Sequence, residues 1–362
     1  MSATRTLAFT RGVPPVEAFP VEEVVDCAAT ILRADPNVLL QYGKSAGYLP
    51  LRQWLAAQHG VAVEQVFLSN GSLQLMEFLT VELTNPGDVA FVESPTYDRA
   101  ITTFRRNKVE VVGIPLEADG VDVGALQRAA EQFGPKVFYV IPDFQNPAGV
   151  TTSLAKRQAI AELAQRFGFW VIEDVPYRRL RYYGEEQPTI LSLAPDRVVQ
   201  LSSFSKLLSP GMRTGYLLGP IEVVGEVARL AEDTYITPSL PCQGMVYEYC
   251  RRGLLEKNIA RLCDLYRPKL DATLAALRRE LPGASFAEPQ GGYFLGVYMP
   301  EGLTCADVLV AAGRVGLTLT NGDGFFTEAP ERAFVRIPFC SLRIADIEEG
   351  VARLGHIANS RH

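Results

Sequence analysis

The amino-acid sequence predicts an α/β fold. A large domain contains a mostly parallel, seven-stranded sheet covered by helices, and the N- and C-terminal segments build a smaller α+β domain. Two observations support this prediction. Between residues 66 and 219, seven short runs of β-branched or aromatic residues alternate with segments of helical periodicity. Several of these runs are almost entirely apolar, as strands are when helices cover both faces of a sheet. Repeated alternation of this kind is typical of a doubly wound α/β domain.

The predicted strands follow one another along this part of the chain. They are VFLS at 66–69, VAFVE at 89–93, VEVVGI at 109–114, KVFYVI at 136–141, FWVIE at 169–173, VVQLSSF at 198–204 and TGYLLG at 214–219. Helices are predicted between them, most clearly at 72–83, 122–133 and 154–167. Because ligands of such sheets bind beyond the carboxyl ends of the strands, the residues after each strand are the first candidates for chemistry.

The two ends of the chain predict the smaller domain. After Pro241 the pattern changes to long helical stretches, including one at 254–281 in which Pro268 predicts a kink or break. Strand-like runs follow at 291–299, 317–320 and 334–339. The N-terminal stretch has no long element before Val21, and we expect it to fold back onto the C-terminal part. We therefore predict an N-terminal arm at 1–45 that joins the small domain, a large domain at 46–250 and a small C-terminal domain at 251–362.

Composition and charge exclude several classes of function. The 362 residues include 35 Lys and Arg against 41 Asp and Glu, so the chain has no basic surplus with which to bind a nucleic acid. No apolar run reaches the roughly 18 residues that a membrane span requires, and the first residues lack the pattern of a secretory signal. Six cysteines are scattered singly without a CxxC pair, which predicts reduced thiols in a cytoplasmic protein and no metal site.

The densest polar segment is SSFSKLLSPGMRTG at 202–215, directly after an apolar strand. Its small hydroxyl residues and Arg213 are the donors that a phosphate monoester needs. Lys206 lies between them, and a partly desolvated lysine near a second cation can have its pKa lowered enough to form a Schiff base. Taken alone, Lys206 is better explained as a solvated residue of an exposed turn, since most lysines are solvated.

Polar residues also follow three other predicted strands. Asn146 lies in PDFQNPAGV after the strand at 136–141, and Asp174 and Tyr177 lie in DVPY after the strand at 169–173. Ser72 follows Gly71 at the start of a predicted helix, where a hydroxyl and free amides can hold a phosphate. Taken one at a time, these residues are also explained as a turn former or as helix caps.

Together and in this order, these segments resemble the fold-type I aminotransferases that use pyridoxal 5′-phosphate. The resemblance extends from about residue 9 to residue 347. It is strongest to the class I/II branch, which includes 2-aminoadipate and kynurenine aminotransferases and the aminotransferase-like half of a family of transcription regulators. The matching stretches are QYGKSAGYLPLR, NPGDVAFVESPTY, QNPAGVTTS, EDVPYRRLRYYGE, SSFSKLLSPGMRTGYL, PQGGYFLG and FVRIPF.

The resemblance implies catalytic roles for three residues and ring contacts for two others. It gives Lys206 the internal aldimine with the cofactor and the transfer of a proton between Cα and C4′. It sets Asp174 opposite the pyridine nitrogen, where an anion favours the protonated ring, and Tyr97 on the ring face. Asn146 and Tyr177 match the residues that hydrogen-bond the O3′ oxygen of the ring.

The resemblance also implies how the phosphate and the substrate carboxylate are held. The matching phosphate-binding residues are Ser72, Leu73, Ser203, Ser205 and Arg213, with Tyr42 contributed by the partner subunit of a homodimer. Leu73 stands where relatives often have Gln, so one side-chain contact is absent there, although the backbone amide remains. Arg336, in FVRIPF, matches the arginine that clamps the substrate α-carboxylate. Asn146 is also expected to contact the substrate.

A second departure from the family pattern lies in the arm. Where relatives often read Gly-Gly-Leu-Pro, this chain has Arg11, Gly12, Val13 and Pro14. We expect Arg11 and Gly12 to contact the substrate, with Arg11 binding a distal carboxylate. The alternatives are that Arg11 is a solvated arm residue, or that Arg99 or Arg178 binds that carboxylate.

The leading functional hypothesis is a homodimeric aminotransferase that moves an amino group between an L-amino acid and a 2-oxo acid, with 2-oxoglutarate and glutamate as one pair. The sequence leaves open a cyclase, lyase or racemase of specialised metabolism that uses the same cofactor. A third hypothesis is a ligand-sensing domain without catalysis. The acidic charge balance disfavours that hypothesis, as does a resemblance that begins at about residue 9 with no basic helix-turn-helix segment before it. We expect neither nucleic acid nor membrane as a partner.

Overall fold

The computed structural model describes residues 5–360, which form strands and helices in close alternation. The strands are β1 (Leu7–Phe9), β2 (Val66–Ser69), β3 (Val89–Ser94), β4 (Glu110–Glu117), β5 (Gly120–Val121), β6 (Val137–Val140), β7 (Trp170–Asp174), β8 (Val198–Ser203), β9 (Gly215–Leu218), β10 (Ser285–Phe286), β11 (Leu295–Tyr298), β12 (Leu317–Leu319) and β13 (Phe334–Ile337).

The α-helices connect and cover these strands. They are α1 (Val21–Ala34), α2 (Pro36–Leu39), α3 (Leu49–His59), α4 (Ser72–Leu83), α5 (Asp98–Arg106), α6 (Val123–Phe133), α7 (Leu154–Phe167), α8 (Ile190–Leu193), α9 (Ile221–Tyr235), α10 (Leu240–Arg251), α11 (Leu254–Glu280), α12 (Cys305–Arg314) and α13 (Ile344–Asn359). Short 3₁₀ turns lie at Val16–Ala18, Val63–Gln65, Pro210–Met212, Gly322–Phe325 and Phe339–Ser341.

The large sheet contains all seven strands predicted from the sequence. Its order is β2-β9-β8-β7-β6-β3-β4-β5, and the strands from β8 to β4 in this order are parallel. The strand β9 runs antiparallel to both β2 and β8. The two-residue strand β5 adds an antiparallel edge strand that the sequence analysis missed. Two residues are too few to show the run of apolar or β-branched residues by which a strand is predicted.

Helices cover both faces of this sheet, which explains its apolar strands. Along β6, Phe138 belongs to one buried cluster, whereas its neighbours Val137 and Tyr139 belong to a second cluster. The strands β6 and β8 are buried at every position. Successive side chains of a strand point to opposite faces, so a strand between two helical layers needs apolar residues on both faces.

The smaller sheets lie in the N- and C-terminal parts of the chain. The strands β10, β11 and β13 form an antiparallel sheet. The arm strand β1 pairs in parallel with β12, with Leu7 opposite Leu317. This pairing confirms that the N-terminal stretch folds back onto the C-terminal part.

The predicted break at Pro268 does not occur. The helix α11 continues from Leu254 to Glu280 with Pro268 inside it. Proline removes one backbone donor from a helix, and the buried side chains of Tyr266 and Leu270 on either side anchor this helix in the core.

The domain limits at 1–45, 46–250 and 251–362 remain a prediction, and residues 1–4 and 361–362 lie outside the described part of the chain. One buried apolar cluster includes Phe9 of the arm, Val137 of the large sheet and Val335 of β13. Within residues 5–360, no helix is both long enough and apolar enough to cross a membrane.

Candidate active site

A cavity of about 230 Å³ lies at the carboxyl ends of the central strands. Its lining residues are Ser72, Leu73, Tyr97, Ile141, Asn146, Asp174, Pro176, Tyr177, Ser203, Ser205, Lys206, Pro210 and Arg213. The lining therefore includes every residue that the sequence analysis assigned to the cofactor, with the exception of Tyr42. Ile141, Pro176 and Pro210 were not singled out from the sequence.

The sheet topology explains why these residues meet. The strands β6, β7 and β8 are parallel neighbours, with Val140 opposite Glu173 and Asp174 opposite Leu201. Their carboxyl ends therefore lie along one edge, and the segments that follow them converge there. The strand β2 runs in the same direction as β8, since both are antiparallel to β9. It therefore brings Ser72, at the start of α4, to the same edge.

Asp174 ends β7 with one paired and one unpaired carboxylate oxygen. Its Oδ2 atom accepts a hydrogen bond of 2.7 Å from the hydroxyl of Tyr139, whereas the buried Oδ1 atom has no partner within the described structure. Burial raises the pKa of Asp174 to about 6. A buried acceptor without a donor is costly, so Asp174 is suited to a ligand that brings an N–H group.

Tyr139 is a site residue that the sequence analysis missed. It lies two residues before the end of the predicted strand at 136–141, and its hydroxyl is the one polar group in the run VFYVI. A polar group in an otherwise apolar buried strand requires a hydrogen-bond partner. That requirement was the signal in the sequence, but it does not identify the partner.

Lys206 is partly buried and has no carboxylate partner in the described part of the chain. Its Nζ atom donates a hydrogen bond of 2.6 Å to the carbonyl oxygen of Gly12 and lies 4.9 Å from the ring centre of Tyr293. Burial lowers the pKa of Lys206 to about 8, and the positive charge of Arg336 acts in the same direction. A substantial fraction of this amine is therefore neutral near pH 8, as a nucleophile or a general base must be.

A group of anion-binding elements surrounds the start of α4. The guanidinium of Arg213 donates to the carbonyl oxygens of Pro210 and Asn70, at 3.3 and 3.1 Å, and makes no ion pair with any described residue. Gly71 has a φ of 102°, and a side chain at this position would overlap Arg213. The helix N-terminus, this unpaired cation and the hydroxyls of Ser203 and Ser205 are groups suited to binding an anion such as a phosphate.

Arg336, in β13, is a buried cation without a counter-ion among the described residues. Its Nη1 atom donates to Oδ1 of Asn146 at 3.0 Å, and its Nη2 atom donates to the carbonyl oxygen of Thr10 at 2.9 Å. The guanidinium lies between two aromatic rings, 4.4 Å from the centre of Phe294 and 4.7 Å from that of Phe325. A planar, desolvated guanidinium of this kind is suited to a carboxylate.

Four predicted site residues lie outside the cavity lining. Arg336 and Gly12 contact lining residues, Asn146 and Lys206 respectively, whereas Tyr42 and Arg11 lie further out. Tyr42 is 75% exposed and does not reach the cavity of its own chain. Arg11 is exposed, and its carbonyl oxygen accepts a bond of 3.4 Å from the hydroxyl of Ser341. The next residue, Gly12, contacts Lys206, so the arm passes beside the site.

The alternatives to Arg11 differ in their surroundings. Arg178 forms ion pairs with Asp143 and Glu186, at 2.9 and 2.6 Å, and lines a different cavity. Its guanidinium is therefore not available to a substrate in the cavity described above. Arg99 is exposed, and its nearest acidic partner is Asp98 at 3.8 Å.

Comparison with known proteins gives consistent results over almost the whole chain. The family model for aminotransferase class I and II matches residues 6–354. The aromatic-amino-acid aminotransferase 1 of Thermococcus litoralis is 32% identical, over 95% of this chain and 85% of its own length.

Two solved structures are similarly close. The α-aminoadipate aminotransferase of Thermus thermophilus, complexed with N-(5′-phosphopyridoxyl)-L-leucine, is 31% identical with a TM-score of 0.92, covering 98% of this chain and 92% of the other. The kynurenine aminotransferase of Pyrococcus horikoshii is also 31% identical, with a TM-score of 0.94, covering 99% and 92%.

Proposed function

The chain belongs to the class I and II aminotransferase family, and we propose that it exchanges an amino group between an L-amino acid and a 2-oxo acid, with glutamate and 2-oxoglutarate as one pair. The chain is a pyridoxal-phosphate-dependent enzyme of amino-group transfer. The identity of the amino acid and the role of each residue are parts of the proposal.

The residues of the cavity fit pyridoxal 5′-phosphate. The unpaired Oδ1 atom of Asp174 is an acceptor for the protonated ring nitrogen, and the unpaired cation of Arg213 is suited to the phosphate. Tyr97 and Tyr177 supply aromatic surface and a phenol beside these groups. When bound, the cofactor supplies an aldehyde that condenses with amines and a ring that withdraws electrons from the substrate Cα atom.

Lys206 is the proposed proton-transfer residue. Its lowered pKa of about 8 leaves part of the amine neutral near neutral pH. A neutral amine can take the proton from the substrate Cα atom and return it at the far end of the same reacting system, as general base and then general acid. None of the cavity-lining residues is a histidine, so Lys206 is the residue there whose pKa best matches this task.

Arg336 is the proposed binding residue for the substrate α-carboxylate. The cost of burying a cation is offset when a carboxylate pairs with it, and the flat faces of Phe294 and Phe325 hold the guanidinium in one plane. Its bond to Asn146 orients it further. Because every amino acid carries an α-carboxylate, this contact serves all substrates alike.

Arg11 is proposed to bind the distal carboxylate of an acidic substrate. Its guanidinium is exposed and forms no ion pair within the described structure, and the neighbouring Gly12 lies against Lys206. An arm residue in this place can reach a substrate that extends from the cavity. This proposal provides a reason for glutamate as one of the amino donors.

A homodimer with shared sites is also proposed. Large apolar side chains are exposed near the cavity mouth, at Leu40, Tyr42, Leu73 and Ile236, with exposed fractions of 43–75%. Two hydrogen bonds link their segments into one surface, from Gly43 to Thr237 and from Ser239 to Asn70. Several large exposed apolar side chains on neighbouring segments support an interface, and Tyr42 would reach the phosphate of the partner across it. The proposed location is the cytoplasm, which six free cysteines support.

The observation that carries the proposed function is the convergence of the partly buried Lys206 with the buried Asp174 and Arg336. None of these three charged groups forms an ion pair among the described residues. The test is to incubate the holoenzyme with single amino acids and 2-oxoglutarate, to follow the absorbance of the cofactor and to identify the products by mass. Formation of glutamate and the matching 2-oxo acid is expected. A cyclised, eliminated or racemised product without glutamate would replace amino transfer with another reaction.

A further inference from the structure

Gln145 joins two loops that reach the active site. Its Nε2 atom donates to the carbonyl oxygen of Pro95 at 2.7 Å, in the loop that ends at Tyr97. Its Oε1 atom accepts a hydrogen bond of 2.8 Å from the backbone N–H of Ala148, in the loop that carries Asn146. The side chain is fully buried. One amide group therefore fixes the segment after β3 relative to the segment after β6.

Glu93 fixes the side chain of Gln145 through a hydrogen bond. It is a buried residue of β3, and its Oε2 atom accepts bonds from Nε2 of Gln145 at 3.1 Å and from the backbone N–H of Ile141 at 3.0 Å. Burial raises the pKa of Glu93 to about 8. The pair crosses from β3 to the end of the neighbouring β6, so it also anchors the start of the second loop.

The backbone of Gln145 is fixed as well. Its N–H group donates to the carbonyl oxygen of Val150 at 2.8 Å, and its own carbonyl oxygen accepts a bond of 2.6 Å from Gly149. The side chain of the next residue, Asn146, accepts the bond from Arg336. A short chain of contacts therefore leads from Glu93 through Gln145 and Asn146 to Arg336.

We propose that Gln145, supported by Glu93, is a positioning residue for substrate binding: it fixes Asn146, and through it Arg336, at a set distance from Tyr97. The inference rests on the proposed function, because it takes Arg336 as the group that binds the substrate carboxylate. Gln145 does not line the cavity. Its effect is therefore expected on substrate affinity rather than on the proton transfer at Lys206.

The chain provides a matched control in a second buried glutamate–glutamine pair. In the same sheet, Nε2 of Gln200 donates to Oε2 of Glu173 at 2.9 Å, and both side chains are buried. The other partners of Glu173 are the backbone N–H groups of Ile190 and Leu191. Within the described chain, this pair has no hydrogen bond to the loops that carry Tyr97 and Asn146. Replacing Gln200 therefore disturbs a comparable polar pair without moving those loops.

The experiment measures binding of 3-phenylpropionate to the holoenzyme by calorimetry. This probe has a carboxylate and an aromatic ring but no amine, so it reports on carboxylate binding without reaction. The variants are Gln145→Ala, Glu93→Gln and Gln200→Ala, with Arg336→Ala as the reference for complete loss. Thermal unfolding of each variant reports its stability, and steady-state kinetics separate KM from kcat.

We expect Gln145→Ala to raise the Kd of the probe and the KM for amino acids about tenfold, with a smaller change in kcat, because misplacing a binding group weakens its contacts. Glu93→Gln should stay within about twofold of the wild type, since an amide oxygen can accept the same two bonds. Gln200→Ala should lower the unfolding temperature without weakening probe binding.

Three outcomes would count against these ideas, and they are distinguishable. If Gln145→Ala binds the probe as the wild type does while Arg336→Ala does not, the positioning role is wrong and the proposed function stands. If Gln200→Ala weakens probe binding as much as Gln145→Ala, the effect is one of general stability and the inference fails. If Arg336→Ala also binds normally, the assignment of the carboxylate site itself is wrong.

A second variant is used if Gln145→Ala fails to fold. Gln145→Glu retains the acceptor oxygen for Ala148, and we expect it to show the same loss of probe binding.

Discussion

The amine of Lys206 donates a hydrogen bond of 2.6 Å to the carbonyl oxygen of Gly12, a residue 194 positions away in the N-terminal arm. Two residues earlier in the arm, the carbonyl oxygen of Thr10 accepts a bond from Arg336. Backbone carbonyls of the arm therefore contact both Lys206 and Arg336. The arm passes beside the cavity, and a substrate must compete with its carbonyl groups for those cations.

Gly12 should be sensitive to the smallest substitution. A methyl group at this position would overlap the ring of Phe294, which stacks on Arg336. Overpacking costs about 1–3 kcal/mol, and we expect Gly12→Ala to move the arm and raise KM for all amino acids by about tenfold. The matched control is Gly225→Ala on α9, where no described atom lies near the added methyl group. Equal KM values for Gly12→Ala and the wild type would show that the arm does not shape the substrate site.

Asp174 should make cofactor binding dependent on pH. Its pKa is raised to about 6 by burial, so the carboxyl group is charged above pH 6 and neutral below it. Only the charged form pairs with a protonated ring nitrogen. We therefore expect the affinity of the cofactor-free enzyme for pyridoxal phosphate to fall as the pH is lowered through about 6.

The control for Asp174 is Asp174→Asn, which preserves shape but cannot ionise. At each pH, the affinity of the wild type for pyridoxal phosphate is divided by the affinity of this variant. The ratio cancels the contribution of the cofactor's own ionisation. The ratio should fall towards acid pH, and the variant should also abstract the substrate proton much more slowly. A ratio that is flat between pH 5 and 8 would assign the ring nitrogen to another residue.

Lys206 should capture the cofactor faster at higher pH. Burial lowers its pKa to about 8, and the amine becomes neutral and nucleophilic as the pH rises through that value. Stopped-flow absorbance on mixing the cofactor-free enzyme with pyridoxal phosphate should give a rate that rises from pH 6 and levels off above pH 8. Arg336→Ala removes a nearby positive charge, so the midpoint of its profile should lie at higher pH.

Replacing the amine tests the same residue directly. Lys206→Ala should bind pyridoxal phosphate without a covalent bond, resist borohydride fixation and lose turnover, whereas Lys257→Ala on the exposed face of α11 should behave as the wild type. Wild-type turnover in Lys206→Ala without an added amine, or a capture rate with a midpoint near pH 10, would contradict the role given to Lys206.

Arg336 and Arg11 should differ in the breadth of their effects. Truncating one partner of a buried charge pair costs about 2–5 kcal/mol, so Arg336→Ala should lower kcat/KM strongly for every amino acid. Arg11→Ala should weaken glutamate and 2-oxoglutarate and leave an aromatic amino acid unchanged. Arg99→Ala tests the alternative arginine and should leave both kinds of substrate unchanged. Equal changes on an acidic and an aromatic substrate would return Arg11 to the role of a solvated arm residue.

The strands of the large sheet and most of the cavity lining could be predicted from the order of the amino acids alone. Strands buried on both faces are apolar at successive positions, and this local pattern is visible in a run such as VVQLSSF. The polar residues that follow these runs meet because parallel strands end at one edge. Asn146, Asp174 and Lys206 could therefore be placed together without a structure, and the family resemblance indicated which group each would bind.

The contacts that hold these residues in place depend on the folded chain. Tyr139 pairs with Asp174 across two neighbouring strands, Gln145 joins two loops, and Gly12 meets Lys206 across most of the chain. These contacts depend on the paths of loops and of the arm, which have no periodicity. The helix through Pro268 shows the same limit, because packing of its buried residues outweighs the local preference of proline. Patterns in a sequence indicate which residues are buried and where strands end. The hydrogen-bond partner of a buried polar group depends instead on which other residues the tertiary structure places next to it.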